Sequence, residues 1–493
     1  MIEARKVVLS LGHRQIFQGV SFTISDGDKI GLVGRNGSGK TTLLKLLEGD
    51  IQSDGGEIYI PEKYTLASVS QKIPTGDVTI KQFVLNSHEE LSGLLDRLET
   101  EEDPEVITKI CGRIDDLDGF NQDYIAEEIL MGLGFNAHDI ENRIVDDLPG
   151  GLRMRLSIAA LLFQKPDIML LDEPSNHLDI EGTKWLGDYL KGHEGTVLLV
   201  SHDADFLDTV TRKTLFCANG QLRTYNGNFS QFQRSRAEEQ TNLRKAAQNI
   251  EHKKQKIQSF ADKFRGISSK SKQVQSRLKM LERFNEISLP IEEKPPVFHF
   301  EYVDLRSEEI LRLSNCDLGY GDDSIIVTDA QLELWTGETL GIIGANGNGK
   351  STLLKTITGS LPLISGKLQV NSDCRIAYLG QIDSDELDSK ETVLAYMSRK
   401  HPEKSQTILR AALAQVGFNE DKVSTSLRDL SGGERTKLLI TLLGMVPSNL
   451  LILDEPTNHL DYDSKISLIK AIQEYPGATA VVSHDSFFLS SYR

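Results

Sequence analysis

The chain has 493 residues, 26% charged and 39% hydrophobic, the proportions of an ordinary globular protein. That length fits two large domains or about three smaller ones and excludes global disorder, a collagen repeat and a disulfide-dense miniprotein. Lys+Arg total 55 and Asp+Glu 72, a formal charge of −17, which as an average argues against nucleic-acid binding.

Cys111, Cys217, Cys316 and Cys374 show no CxxC spacing, which fits a reducing compartment and gives no metal or redox motif. The opening MIEARKVVLS has no long apolar core, so it does not read as a signal peptide. Apolar runs such as VLLV at 197–200 and LLIL at 450–453 fall far below the roughly 20 residues of a membrane span. A cytoplasmic location is expected.

In chain order, the apolar strand KIGLV leads into Gly34-Arg35-Asn36-Gly37-Ser38-Gly39-Lys40-Thr41, followed by the helix TTLLKLL. This is G-x-x-x-x-G-K-[ST] in its required strand–loop–helix setting. Such a loop closes backbone N–H groups around phosphate oxygens at a helix N-terminus. Lys40 is expected to reach the β/γ-phosphates and Thr41 to hold Mg²⁺, with Gly34, Asn36, Gly37, Gly39 and Thr42 completing the cradle. Gln71 follows. Residues 87–120 carry apolar residues at helical spacing on either side of Asp103-Pro104, which predicts two amphipathic helices forming a hairpin arm. DLPGGLRMRL at 147–156 precedes a buried strand ending in Asp172-Glu173. Asp172 suits a metal, and Glu173 suits the orienting of an attacking water. TVLLV then delivers Ser201-His202-Asp203, and a helix and two strands are predicted beyond it.

Between Arg234 and Arg283 stand fourteen Lys/Arg against five Asp/Glu, a net of +9, leaving about −26 elsewhere. Near-absence of Gly and Pro predicts two long helices broken near Gly266, with positive charge around the break. That concentration revises the averaged reading and predicts nucleic-acid contact through Lys263, Arg265, Lys270, Lys272, Arg277 and Lys279.

The chain then repeats itself. Gly344, Ala345, Asn346, Gly347, Asn348, Gly349, Lys350 and Ser351, followed by Thr352, restate the first loop at an offset of 310, and Gln381 restates Gln71. DLSGGERTKL, with Ser431, Gly432 and Gly433, restates the second motif at an offset of 282. Asp454, Glu455 and His484 restate Asp172, Glu173 and His202 at the same 282. The difference, 28 residues, matches an insertion carried by the first copy alone.

The order P-loop, Gln, LSGG, DEP, SHD resembles the ATP-binding cassette (ABC) family over roughly residues 1–230 and 305–493. The resemblance implies an α/β fold: two P-loop NTPase domains with α-helical subdomains, joined by a long α-helical hairpin linker. The boundaries read as 1–232, 233–290 and 291–493. Two ATPs with Mg²⁺ would lie head to tail between the cassettes of one monomer. Lys40, Gln71, Glu173 and His202 would share one ATP with Ser431-Gly432-Gly433. Lys350, Gln381, Glu455 and His484 would share the other with Pro149-Gly150-Gly151. Gln71 and Gln381 would join Thr41, Ser351, Asp172 and Asp454 at the metals, and Tyr320 would stack on adenine. The first-cassette arm, charged linker and absent membrane span resemble subfamily F, whose members are ribosome-associated ATPases acting at the exit-tRNA site. The linker is most similar to those of bacterial housekeeping branches. Ribosome protection against antibiotics, a DNA-repair ATPase and, least favoured, a transport ATPase subunit are the alternatives.

Three departures matter. Pro149 stands where the family has a serine and offers neither hydroxyl nor N–H. Asn348 fills a P-loop position usually held by a small residue, so slower hydrolysis is expected at the Lys350 site. Leu11 stands near the place matching Tyr320. The second copy stops eight residues past Asp485, and its cassette is expected to be the less stable.

Overall fold

The computed structural model describes residues 1–12, 14–69, 74–176, 178–264, 275–276, 279, 295–305, 308–321, 324–345, 347–380 and 387–492. The first cassette opens with β1 (Ile2–Leu11) and β2 (Arg14–Ile24), and β4 (Gly55–Tyr59) completes an antiparallel sheet in the order β2-β1-β4. Ile2 and Ala4, then Val7 and Leu9, are buried. The extra residue between the two pairs is absorbed by a bulge with Lys6 at φ 48, which keeps both apolar pairs on one face. The bulge drives the Lys6 carbonyl against Gly56, where a Cβ would come within 2.3 Å of it. The second copy repeats the arrangement with Asn315 at φ 49 against Gly366, at 2.1 Å.

The nucleotide-binding half is a mostly parallel sheet. Its strands are β3 (Lys29–Val33), β5 (Leu66–Ser68), β6 (Ile168–Asp172), β7 (Thr196–Val200) and β8 (Lys213–Ala218), with β9 (Gln221–Asn226) antiparallel at one edge. The order is β5-β6-β7-β3-β8-β9. Strands β3 and β7 are buried along their whole length, as expected of parallel strands covered on both faces. Helix α1 (Lys40–Glu48) leaves the P-loop. Helices α2 (Ile80–Asn86), α3 (Glu89–Thr100), α4 (Pro104–Asp116), α5 (Gln122–Gly132), α6 (Ala137–Asn142) and α7 (Gly150–Gln164) form the helical subdomain. Helices α8 (Ile180–Gly192) and α9 (Ala204–Val210) return to the sheet. Asp103 caps α4, whose first residue is Pro104, a stop–start signal readable in the sequence.

The connecting unit, Phe229–Lys294, contains α10 (Phe229–Phe264), 36 residues long. Gln275, Ser276 and Lys279 are also helical. The expected break near Gly266, together with Arg265, Lys270, Lys272 and Arg277, lies outside the described residues.

The second cassette repeats the plan. Its antiparallel sheet has the order β11-β10-β13, from β10 (Glu309–Gly319), β11 (Ile325–Trp335) and β13 (Ser365–Val370). Its parallel sheet has the order β12-β16-β15-β14, from β12 (Thr339–Ile342), β14 (Ile376–Leu379), β15 (Leu450–Asp454) and β16 (Ala478–Val482). Its helices are α11 (Lys350–Ile357), α12 (Val393–Lys400), α13 (Gln406–Gln415), α14 (Glu420–Val423), α15 (Gly432–Gly444), α16 (Tyr462–Gln473) and α17 (Ser486–Ser490). Five residues join α12 to α13. At the equivalent place the first cassette inserts α3 and α4, packed through Leu91, Ile110 and Ile114 and joined by an Arg113–Glu90 ion pair of 2.7 Å.

Leu199 pairs with Leu171 of β6 and Gly31 of β3 and is fully buried. Leu199→Ala is expected to cost about 2–5 kcal/mol, read as a lower urea midpoint for the full chain, because the cavity opens beneath the strand that delivers His202.

Candidate ATP sites between the cassettes

Each P-loop turns on glycines that a side chain could not replace. Gly37 and Gly39 have φ of 74 and 105, and Gly347 and Gly349 of 87 and 83, the left-handed region that favours glycine. A Cβ on Gly34 would come within 2.4 Å of the Cys217 carbonyl. Lys40 donates its ammonium to the Gly34 carbonyl at 2.8 Å, and Lys350 to that of Gly344 at 2.6 Å. Both therefore lie across their own loops, at the first residue of α1 and α11. Thr42 and Thr352 follow in the first turns.

The metal candidates pair off identically in both copies. The Thr41 hydroxyl donates to Asp172 at 2.7 Å, and the Ser351 hydroxyl to Asp454 at 2.9 Å. No cluster of three His, Cys, Asp or Glu side chains that could hold a metal occurs among the described residues. Gln71, Gln381 and Asn346 lie outside the described residues.

Glu173 and Glu455 stand one residue past their strands with φ of 51 and 52, a costly backbone for a non-glycine residue. Each is held there by donating its N–H to a neighbouring strand, at Val200 and Val482, both at 2.9 Å. In each carboxylate one oxygen accepts the backbone N–H of the following histidine, His202 at 3.2 Å or His484 at 3.4 Å. The other, Oε1, is buried with no hydrogen-bond partner among the described residues. It stands 3.5 Å from the imidazole Nε2 in both sites. A buried acceptor without a donor suits the orienting of a water. Burial pushes both glutamates up to about 7. It also lowers both histidines, His484 to about 4, so both imidazoles are neutral near pH 7.

The two cassettes face each other head to tail across these loops. On the Lys40 side, the Asn36 amide donates to the His459 carbonyl at 2.7 Å and its oxygen lies 3.1 Å from His202 Nε2. A Cβ on Gly433 would come within 1.8 Å of the same amide, so the second signature helix touches the first P-loop. Ser431 caps that helix: its hydroxyl oxygen accepts the Glu434 N–H at 3.4 Å, and the Glu434 carboxylate accepts the Ser431 N–H at 3.0 Å. Gly432 packs against the His459 ring. Arg35 reaches Asp463 across the interface at 3.3 Å.

On the Lys350 side a cavity of about 580 Å³ is lined by Pro149, Gly151, Tyr320, Lys350, Glu455 and His484, among others. It continues to Glu173 and His202. Gly150 is exposed at the start of α7, and Pro149 offers that helix no side-chain cap. Tyr320 is 60% exposed at the cavity edge. Leu11 ends β1 exposed. Sequence reasoning passed over Arg35, His459, Asp463 and Lys465, whose contacts cross between the copies.

Comparison with known proteins agrees with this architecture. A family model described as ABC transporter matches residues 17–176 and 327–458, and a second with the same description matches 217–300, across the connection. The chain is 37% identical to "Probable ATP-binding protein YheS" of Escherichia coli K12 over all of its length and 77% of that protein's. It is 32% identical to "Probable ATP-binding protein YbiT" of Escherichia coli O157:H7, over 100% and 94%. Its fold is similar to that of the archaeal ribosome recycling factor aABCE1, solved in complex with the ribosomal stalk protein aP1, with TM-score 0.61 at 17% identity, covering 99% of this chain and 86% of that one. The chain belongs to the ABC family of ATP-binding proteins, as a two-cassette member of its subfamily F. No helix among the described residues is long and apolar enough to cross a membrane.

Two outcomes follow from the geometry. The folded chain keeps Glu173 and Glu455 protonated up to about pH 7, whereas an ordinary glutamate releases its proton near 4.5. Stability therefore falls as pH rises between those values. Glu173→Gln and Glu455→Gln are each expected to exceed wild type by about 2 to 3 kcal/mol at pH 8, shrinking to under about 1 at pH 5, in nucleotide-free unfolding measurements. Second, the proline signature and open cavity belong to the Lys350 site, so Glu173→Gln is expected to remove more steady-state ATPase than Glu455→Gln. Equal losses count against asymmetry.

Proposed function

We propose that the protein is a cytoplasmic ATP hydrolase whose two cassettes close on two ATPs to admit it to the ribosome and open after hydrolysis to release it. The observation that carries the reading is the head-to-tail approach of the first P-loop to the second signature helix, with Gly433 against Asn36, in a chain whose connection carries a net +9. Closure of such an interface by nucleotide would convert ATP binding into a change of domain spacing.

At each site the P-loop N–H groups and Lys40 or Lys350 bind the phosphates. Thr41 with Asp172, or Ser351 with Asp454, provides the donor set for Mg²⁺, together with Gln71 or Gln381. When bound, that ion neutralises charge on the phosphate oxygens. Glu173 or Glu455 orients a water through its free Oε1, while neutral His202 or His484 donates toward the γ-phosphate. The water oxygen bonds to the γ-phosphorus as the bond to the ADP oxygen breaks, and positioning with charge neutralisation does most of the work.

The +9 of the connection against about −26 elsewhere supports RNA contact confined to that segment, by charge and shape. Lys263 and Lys279 are exposed there. The exit-tRNA site is the surface such a linker would enter, touching rRNA and tRNA, and a housekeeping role is favoured over drug protection by the modest tip. Two solved structures of similar fold are described as a ribosome recycling factor and as ribosome-bound Pelota and ABCE1.

The test is sedimentation of the Glu173→Gln/Glu455→Gln double variant with ATP through a sucrose gradient. It is expected with the ribosomes. Free protein at the top, with a wild-type ATPase indifferent to ribosomes, overturns the reading. Reversing the charge of Lys263, Arg265, Lys270 and Lys272 is expected to weaken the association and flatten its salt dependence.

A further inference from the structure

We propose that Lys465 is a positioning residue acting across the cassette interface, tying the histidine loop of one ATP site to that of the other. The assignment rests on the reading that both sites hydrolyse ATP. Lys465 lies on α16 and is 5% exposed. Its ammonium donates to the Asp485 carboxylate at 2.5 Å and to the backbone carbonyl of His202, in the opposite cassette, at 2.9 Å. Asp485 directly follows His484, and its second oxygen caps α17 by accepting the Phe488 N–H at 3.0 Å. One buried cation thus joins the residue after one catalytic histidine to the backbone of the other.

The surroundings explain why a cation is needed there. Asp203, the repeat equivalent of Asp485, caps α9 in the same way through Phe206 at 3.0 Å. Asp203 and Asp485 repel each other, and Lys465 attracts Asp203. Two like carboxylates from the two cassettes therefore approach across the interface, and the ammonium lies among them. The connection is one-sided: the repeat equivalent of Lys465 is Thr183, too short to cross and uncharged. The placement of His202 matters because its imidazole stands between Asn36 at 3.1 Å and Glu173 at 3.5 Å. A shift of its carbonyl displaces both contacts, and the same ammonium transmits that shift to the loop bearing His484.

The experiment compares full-length wild type, Lys465→Met and Lys465→Arg in steady-state ATPase assays, with unfolding midpoints confirming that each variant is folded. Lys465→Met is expected to lower kcat about tenfold or more with KM within about threefold, and Lys465→Arg to recover most of the loss. A Lys465→Met kcat within about twofold of wild type, or an arginine variant no better than methionine, overturns the assignment. Wild type without ATPase defeats the functional reading instead. In that case small-angle scattering decides: ATP is expected to compact Glu173→Gln/Glu455→Gln but not the same chain carrying Lys465→Met, and no difference between them overturns the assignment.

Discussion

The register of three parallel strands is the constraint on which both ATP sites depend. In the first cassette Leu32 and Asp172 both pair with Val200, so β3, β6 and β7 end at one level and their loops leave the sheet side by side. The second cassette does the same, with Ile342 and Asp454 both opposite Val482. Parallel strands expose all their carboxyl ends at one edge, where open α/β sheets bind ligands. The apolar runs end at that edge, and the polar residues that follow find partners mainly in one another: Thr41 with Asp172, Glu173 with His202. A one-residue slip of β6 against β7 would break every one of these pairs. The strained backbone of Glu173 and Glu455 persists for the same reason, since each N–H is already committed to the neighbouring strand.

Much of this was legible in the sequence because the P-loop has a strict local grammar. Glycines at Gly37 and Gly39 are demanded by backbone dihedrals, and the lysine and hydroxyl by phosphate and metal chemistry. Duplication then made chance matches implausible, and the change of offset from 310 to 282 marked extra chain in the first copy, where the α3–α4 pair stands. Asp103-Pro104 announced the start of α4 by ordinary capping chemistry.

The contacts between copies were hidden for an equally physical reason. In YDSKISLIKAIQ, Lys465 stands at helical spacing from Leu468, Ile469 and Ile472, on the buried stripe, but a lone charge on that stripe names no partner. Lys465 is buried while Lys470 is exposed, and its partners, Asp485 and the His202 carbonyl, lie far from it in the chain. Arg35 was likewise an unremarked filler between P-loop glycines until Asp463 appeared 3.3 Å away. Pairwise chemistry across 428 residues of chain leaves no periodicity to find.

Among the described residues, two of those contacts stand on the Lys40 side without a repeat equivalent. They are Arg35 with Asp463 and Lys465 on the His202 carbonyl. The repeat equivalents of Arg35 and Lys465 are Ala345 and Thr183, each of which lacks the cation that makes the contact. The burial of the two lysines follows suit: Lys40 is 8% exposed, while Lys350 lines an open cavity. A dimer of identical cassettes would be tied in the same way at both sites. It would bring two copies of Lys465 and two of Asp485 to the junction, one ammonium to each carboxylate, and the two sites would be held alike. Joining the two copies on one chain removes that symmetry requirement, so a single ammonium can serve two carboxylates and one ATP site can be held more tightly than the other.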